Sequence, residues 1–522
     1  MLNLASILED TARKHPDKTA VVCGDARLSY SAVNALANRV ANGLRAAGIH
    51  KGDRVVLACP NLHYFPAVYH GILKAGAVVV PVNIMYKRRE LRHILNDSQA
   101  RVFFCFEGTP LLPTGAEGRA AFEASPSCEC FCVITANPDA PSPIPGAATL
   151  PEFVRDQAPL HDTAPTDPED TAVMVYTAAG DGSPMGAELT HANLMANALV
   201  GRGVTCVGTD DTELIVLPLF HMFAQTTQLN APVLAGATVV LLPRFEPSLV
   251  LRTMRDEGIT IFCAVPTMLR ALLNCRRADQ FDLDGIARTL RFIVSGGEHL
   301  TPELLEAFEA RFHIPLVEGY GLTEASPIVA INRFGECCKP GSIGPAVPGT
   351  EVRLVDPSGR GVAPGQVGEL VVRGPGVMKG YHNRPETTRH TLRNGWLHTG
   401  DLARMDEDGY LYLTGRVKDM VIRGGLNVYP AEVEQALMRH PDIAEAAVIS
   451  VPCERYGEEV LAFVVPKARS GLSETEVLTW AQAELARYKC PRHAVLMDAL
   501  PRTARGDVMK DELRSRAGSD QK

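Results

Sequence analysis

Apolar residues recur along this chain at two spacings, and the two alternate. Spacing of three to four predicts helices over 28–47, 64–75 and 91–98. Short apolar runs between them predict strands at 54–59, 78–82 and 102–106. A second series of strands follows at 213–217, 237–242, 259–264 and 292–295, again with helical stretches between. Such alternation predicts layered α/β structure with largely parallel sheets. The stretch 138–168 is rich in Pro and Ala and reads as a surface connection.

The texture changes near residue 341. Strands at 351–355, 368–373 and 410–414 are separated by Gly/Pro turns, which predicts a small β-rich subdomain. Beyond Gly415-Arg416, a helix at 431–439, strands at 444–451 and 461–465, and a helix at 473–486 predict a small α+β domain on a hinge. The expected fold class is therefore α/β. A large N-terminal unit over 1–415 holds layered α/β subdomains and a small β-rich subdomain, and a small mobile C-terminal domain covers 416–522. Residues 515–522 are expected to fray. There is no internal repeat.

Composition narrows the function. Of 522 residues, 46% are hydrophobic and 21% charged, an ordinary globular balance. The net charge of −8 argues against general nucleic-acid binding and against a polybasic membrane patch. Thirteen cysteines without paired CxxC motifs argue against a zinc site and read as reduced thiols. Residues 1–18 are amphipathic and carry acids, unlike a secretory signal. No apolar run reaches the roughly 20 residues that span a bilayer. A cytoplasmic protein is expected; the sequence does not define its oligomeric state.

Several segments carry candidate chemistry. At 176–194 an apolar strand runs into a Gly-rich turn, with a helix expected to open at Thr190. Backbone N–H groups in such a turn can wrap anionic oxygens, with Thr177, Gly182 and Gly186 as the candidate contacts. In Val317-Glu-Gly-Tyr-Gly-Leu-Thr-Glu-Ala325, Gly319 and Gly321 allow backbone to approach a ligand. Tyr320 offers a flat face for a nucleobase. Thr323 offers a hydroxyl for phosphate, and Glu324 a hard oxygen for Mg²⁺. In Trp396-Leu-His-Thr-Gly-Asp-Leu402, Asp401 is placed to accept from two vicinal hydroxyls.

These segments together resemble the adenylate-forming superfamily, and most of all its fatty and aryl acyl-CoA ligases. The resemblance covers nearly the whole chain. It implies ligation of a carboxylic acid to CoA at the expense of ATP, through acyl-AMP, with Mg²⁺. It implies that Gly415-Arg-Val-Lys418 and the residues after it bring Arg416 to the ribose and Lys418 to the hinge between half-reactions. Gly424 and Gly425 would leave room for the pantetheine arm. His221, in Pro218-Leu-Phe-His-Met-Phe223, would border the acyl pocket. Ser295-Gly-Gly-Glu298, with Gly297, would lie along adenine and acyl group, although Glu298 stands where a small apolar residue is usual. A carboxylate lining an acyl tunnel disfavours a purely apolar chain; pointing outward or starting a helix are the other readings. Tyr488-Lys-Cys-Pro491 matches a turn of the small domain.

Two lysines tied to ATP chemistry in that superfamily are replaced. Met185 stands at one, with Ala178 and Asp181 at hydroxyl positions, and Asp507 in Pro501-Arg-Thr-Ala-Arg-Gly-Asp507 stands at the other. Losing a cation and gaining an anion beside a triphosphate is expected to weaken adenylation, about 10²–10³-fold per lost donor. Arg505 or Lys510 would be the replacement cation. Two alternatives stay open: a non-catalytic protein that binds nucleotide or acyl-CoA, and an acyl transferase that starts from preactivated acyl groups. The identity of the acid is not legible.

Overall fold

The computed structural model describes residues 2–178, 184–416, 420–467, 470–502 and 508–519. Two eight-stranded sheets dominate it. One runs, edge to edge, Gly380–Tyr381, Pro184–Thr190, Thr171–Ala178, Val78–Pro81, Arg54–Ala58, Val102–Phe106, Cys130–Ile134, Ala148–Thr149. From Thr171–Ala178 onward its pairings are parallel. The other runs Ile328–Ile331, Leu316–Gly321, Phe292–Ser295, Ile261–Ala264, Thr212–Ile215, Thr238–Leu241, Thr19–Cys23, Ala26–Ser29. It is parallel except at its two edges.

Parallel sheets bury both faces, and here one face of each is shared. Helices Tyr30–Ala46 and Tyr64–Lys74 lie between the sheets, and a single apolar core joins them to both. Every residue of Tyr64–Lys74 is buried, with Lys74 paired to Glu9. Separate cores cover the two outer faces. The expected helix at 28–47 starts at Tyr30, because Ala26–Ser29 pairs with Thr19–Cys23. Ser29 Oγ then caps the helix by accepting from Ala32 N–H at 3.2 Å.

One expectation is corrected. The Gly-rich turn after Thr171–Ala178 leads into an antiparallel strand, Pro184–Thr190, and only then into helix His191–Thr205. Met185, Ala187 and Leu189 keep the two-residue period of a strand, which Pro184 and Gly186 obscure. Thr190 does cap the helix, accepting from Asn193 N–H at 3.1 Å.

The β-rich subdomain forms as expected, with Glu351–Val355, Gly368–Arg373, Leu392–Arg393, Trp396–Met405 and Leu411–Arg416 all antiparallel. A fourth sheet joins Leu426–Val428, Val421–Arg423, Gly457–Pro466, Ile443–Cys453 and His493–Leu496, with cores of its own. Helix Lys510–Ser519 continues into the segment expected to fray, and residues 520–522 lie outside the described residues.

The C-terminal sheet docks on the large unit through a buried cation. Lys489 Nζ lies 2.6 Å from Glu90 Oε1 and 2.6 Å from Glu432 Oε1. Its side chain is 5% exposed and that of Glu90 is 7%. The second Glu90 oxygen accepts from Lys87 N–H at 2.9 Å and caps helix Arg88–Asp97. Removing one member of a buried charge cluster strands the others. Lys489→Met is expected to cost about 3–5 kcal/mol, read as a lower thermal unfolding midpoint. Adding Glu90→Gln should recover part of the loss, and a midpoint unchanged by Lys489→Met would contradict the arrangement.

Candidate active site

Ligands of open α/β sheets bind outside the carboxyl ends of the strands, and the expected residues gather there. Strand Phe292–Ser295 runs out into Gly296 and Gly297, and Leu316–Gly321 carries Gly319, Tyr320 and Gly321 at its end. Glycine is enforced at 321, where a Cβ would stand 2.3 Å from the Pro327 carbonyl oxygen. Gly297 has φ +82°.

Three groups converge. Tyr320 Oη donates to Asp401 Oδ2 at 2.5 Å, across 81 residues of sequence. Asp401 N–H donates to Thr399 Oγ1 at 3.0 Å, and its backbone pairs with Arg416. Glu324 Oε1 accepts from Thr177 Oγ1 at 3.2 Å and from Tyr381 Oη at 2.9 Å. Thr323 begins the short turn that holds Glu324. A carboxylate with neighbouring hydroxyls is thus set beside a second carboxylate backed by an aromatic ring.

Behind them lies a cavity walled by His221, Phe223, Thr227, Ser295, Tyr320 and Ile331, among others. It encloses about 60 Å³, well below the roughly 150 Å³ that holds a benzene ring. An aryl or a fatty acyl group alike therefore needs its walls to move. Thr227 Oγ1 donates to the Phe223 carbonyl. His221 Nδ1 accepts from Phe223 N–H at 3.3 Å, which leaves the ring proton on Nε2. Burial pushes this imidazole down to about 4.

The C-terminal sheet adds a wall. Gly424 and Gly425 form the turn between Val421–Arg423 and Leu426–Val428, with φ +60° and +79°. A Cβ on Gly425 would stand 2.8 Å from Val265 Cγ1, and one on Gly297 would stand 3.4 Å from the same atom. The turn therefore reaches the edge of the crevice. Glu298 does not wall the cavity, which corrects one of its expected placements; its carboxylate accepts from Gly425 N–H instead.

Other expected residues are not brought in. Gly186 is required by packing, since a Cβ there would stand 2.7 Å from Met174 Sδ. Met185 is 4% exposed and sits opposite Thr177 in the hairpin. Lys510 Nζ pairs with Glu434 at 2.9 Å on the C-terminal unit, so in this arrangement it does not replace a lost lysine. Asp181, Gly182, Lys418, Arg505, Asp507 and the side chains of Ala178 and Arg416 lie outside the described residues. Tyr381 was missed. Its signal was Gly380, whose φ of +155° and crowding by Thr388 fix the approach of the next residue. Among the described residues no three His, Cys, Asp or Glu side chains cluster as a metal site, and no helix is long and apolar enough to cross a membrane. The thirteen cysteines are free thiols.

The chain belongs to the AMP-binding enzyme family, whose pattern matches residues 8–382, with the AMP-binding enzyme C-terminal domain at 432–507. It is 38% identical over 513 residues to a feruloyl-CoA synthase of an Amycolatopsis species, covering 97% of each chain. ATP-bound MatB from Rhodopseudomonas palustris matches with TM-score 0.73 and 32% identity over all of both chains. A double mutant of the Bacillus subtilis o-succinylbenzoate CoA synthetase MenE, bound to its product analogue OSB-NCoA, matches with TM-score 0.82 and 26% identity over 99% of each. The family is that of acyl-CoA ligases, acid–thiol ligases that use ATP and CoA.

His221 is expected to stay neutral through the working range. Its ring resonances should not titrate between about pH 5.5 and 8 in heteronuclear NMR; a midpoint near 6.5 would contradict its burial.

Proposed function

We propose that this chain ligates an aryl acid to CoA, with a slow first half-reaction and an intact second one. A carboxylate oxygen of the acid attacks the α-phosphorus of ATP and pyrophosphate leaves. The CoA sulfur then attacks the acyl carbon and AMP leaves. The observation that carries the reading is the hydrogen bond of Tyr320 to Asp401, with Tyr320 and Thr323 both lining the cavity.

In this reading Tyr320 faces adenine, and Asp401 and Arg416 hold the ribose hydroxyls. Thr177, Gly182 and Thr323 meet phosphate oxygens, and Gly297 and Gly321 leave room for the nucleotide. Mg²⁺ usually takes one or two carboxylates and completes its shell with phosphate oxygens and water. Glu324, with a hydroxyl 3.2 Å away, fits that role. His221 meets the acyl group from Nε2, and Lys418 serves the hinge of a mobile unit spanning 416–522. Gly424 and Gly425 border the CoA passage. Free thiols throughout favour a reducing, cytoplasmic setting.

Two further observations support the emphasis on the second half-reaction. The match to the CoA-analogue complex is better than the match to the ATP complex, despite lower sequence identity. A single superposition of two hinged units rewards a shared domain arrangement. Met185 and Asp507 also remove the cations that would serve adenylation. The aryl assignment rests on the feruloyl-CoA synthase relative and on the aromatic wall at Phe223.

The test supplies ATP, Mg²⁺ and CoA with ferulate or octanoate, and follows AMP and thioester by mass spectrometry. Ferulate should turn over and octanoate should not. Folded protein that releases no AMP with any of a broad acid panel would overturn the ligase reading and favour a nucleotide-binding relative. Thioester from synthetic feruloyl-AMP and CoA, with none from ATP, ferulate and CoA, would mark an acyl transferase. Asp401→Asn should lower kcat/KM for ATP about 10–100-fold. Met185→Lys with Asp507→Lys should raise pyrophosphate release by about 10²-fold; no gain would mean that phosphate is handled by another route.

A further inference from the structure

The two half-reactions leave Glu298 without a role. Its carboxylate bridges the two units. From the C-terminal unit it accepts Gly425 N–H, and on the large unit it lies beside Thr267 at the start of helix Pro266–Leu273. A Cβ on Gly457 would stand 3.5 Å from Oε2. Arg270 lies on the same helix and attracts the carboxylate, while its buried Nη1 makes no hydrogen bond. Glu458, from strand Gly457–Pro466, repels it. Arg423, beside the turn, is committed to Glu459 at 2.7 Å.

We propose that Glu298 is a positioning residue for thioester formation, pinning the Gly424–Gly425 turn against Val265 and so fixing the wall of the CoA passage. The inference rests on reading this domain arrangement as the thioester-forming one. The contact is specific to the arrangement, because Gly425 leaves with the C-terminal unit when that unit turns. It is also chemically asymmetric. Met185 and Asp507 weaken the adenylating arrangement, and Glu298 adds a bond to the other. The two changes favour the same half-reaction.

The latch carries a pH dependence with a definite sign. Burial pushes the Glu298 carboxyl up to about 7, with Glu458 adding to it and the Gly425 hydrogen bond and Arg270 opposing. Undocking removes Gly425, Gly457 and Glu458 and returns water, so the carboxyl falls back toward its ordinary 4.5. The docked arrangement then binds the proton more tightly, so docking strengthens below pH 7 and weakens as the pH rises through it. The protonated acid keeps its contact, because its carbonyl oxygen still accepts from Gly425.

The test compares native protein, Glu298→Ala and Glu298→Gln at about pH 6 and 8, either side of the shifted value. One readout is hydrogen–deuterium exchange of residues 421–428 without substrate, normalised to the unstructured-chain rate at each pH. Native protein should be better protected at the lower pH. Alanine should lower protection about tenfold at both, and glutamine should keep it while losing the pH dependence. The second readout is the ratio of thioester formed from synthetic feruloyl-AMP and CoA to pyrophosphate released from ATP and ferulate. It should fall about tenfold in Glu298→Ala and recover in Glu298→Gln. Equal exchange in native and alanine proteins overturns the latch, whatever the turnover. Faster exchange in the alanine variant, with native protein unable to use feruloyl-AMP, overturns the ligase reading and leaves the docking role in place.

Discussion

A parallel sheet buries both its faces, so a ligand reaches its backbone only where the strands end. The rest of this structure follows from that constraint. The helices fill the space between and outside the two large sheets, and the chemistry is pushed to one edge. There, strands Phe292–Ser295 and Leu316–Gly321 deliver glycines and Tyr320 to a common crevice. The β-rich subdomain supplies Asp401 from the facing side, and the hydrogen bond between Tyr320 and Asp401 joins the two.

The C-terminal unit completes the crevice from a third direction, and polar contacts help to dock it. Lys489 between Glu90 and Glu432, and Glu298 beneath Gly425, are contacts that depend on position more than on area. Apolar contact is indifferent to small rotations, whereas a buried ion cluster is satisfied in one geometry and costly in others. Met185 is folded into the hairpin, opposite Thr177.

Much of the fold was legible because periodicity is local. Strands such as Val102–Phe106, Phe292–Ser295 and Glu351–Val355 fall where alternation placed them. The hairpin strand Pro184–Thr190 was hidden because its glycine and proline read as a turn, while its partner strand fixed it as extended. Of the site, Tyr320, Glu324 and Asp401 were readable from residue type and spacing. Tyr381 was not, since Gly380 marks only its backbone and its partner Glu324 lies 57 residues away.

By itself the sequence determined the layers, the glycines that let backbone approach a ligand, and the chemistry available at each motif. These depend on side-chain type and on neighbours a few positions away. Only the tertiary structure decided which groups meet. It placed Glu298 on Gly425 instead of in the acyl cavity, paired Lys510 with Glu434, and set Lys489 against Glu90, 399 residues distant. Such contacts arise where separately folded layers come together, and direction across an interface has no period along the chain.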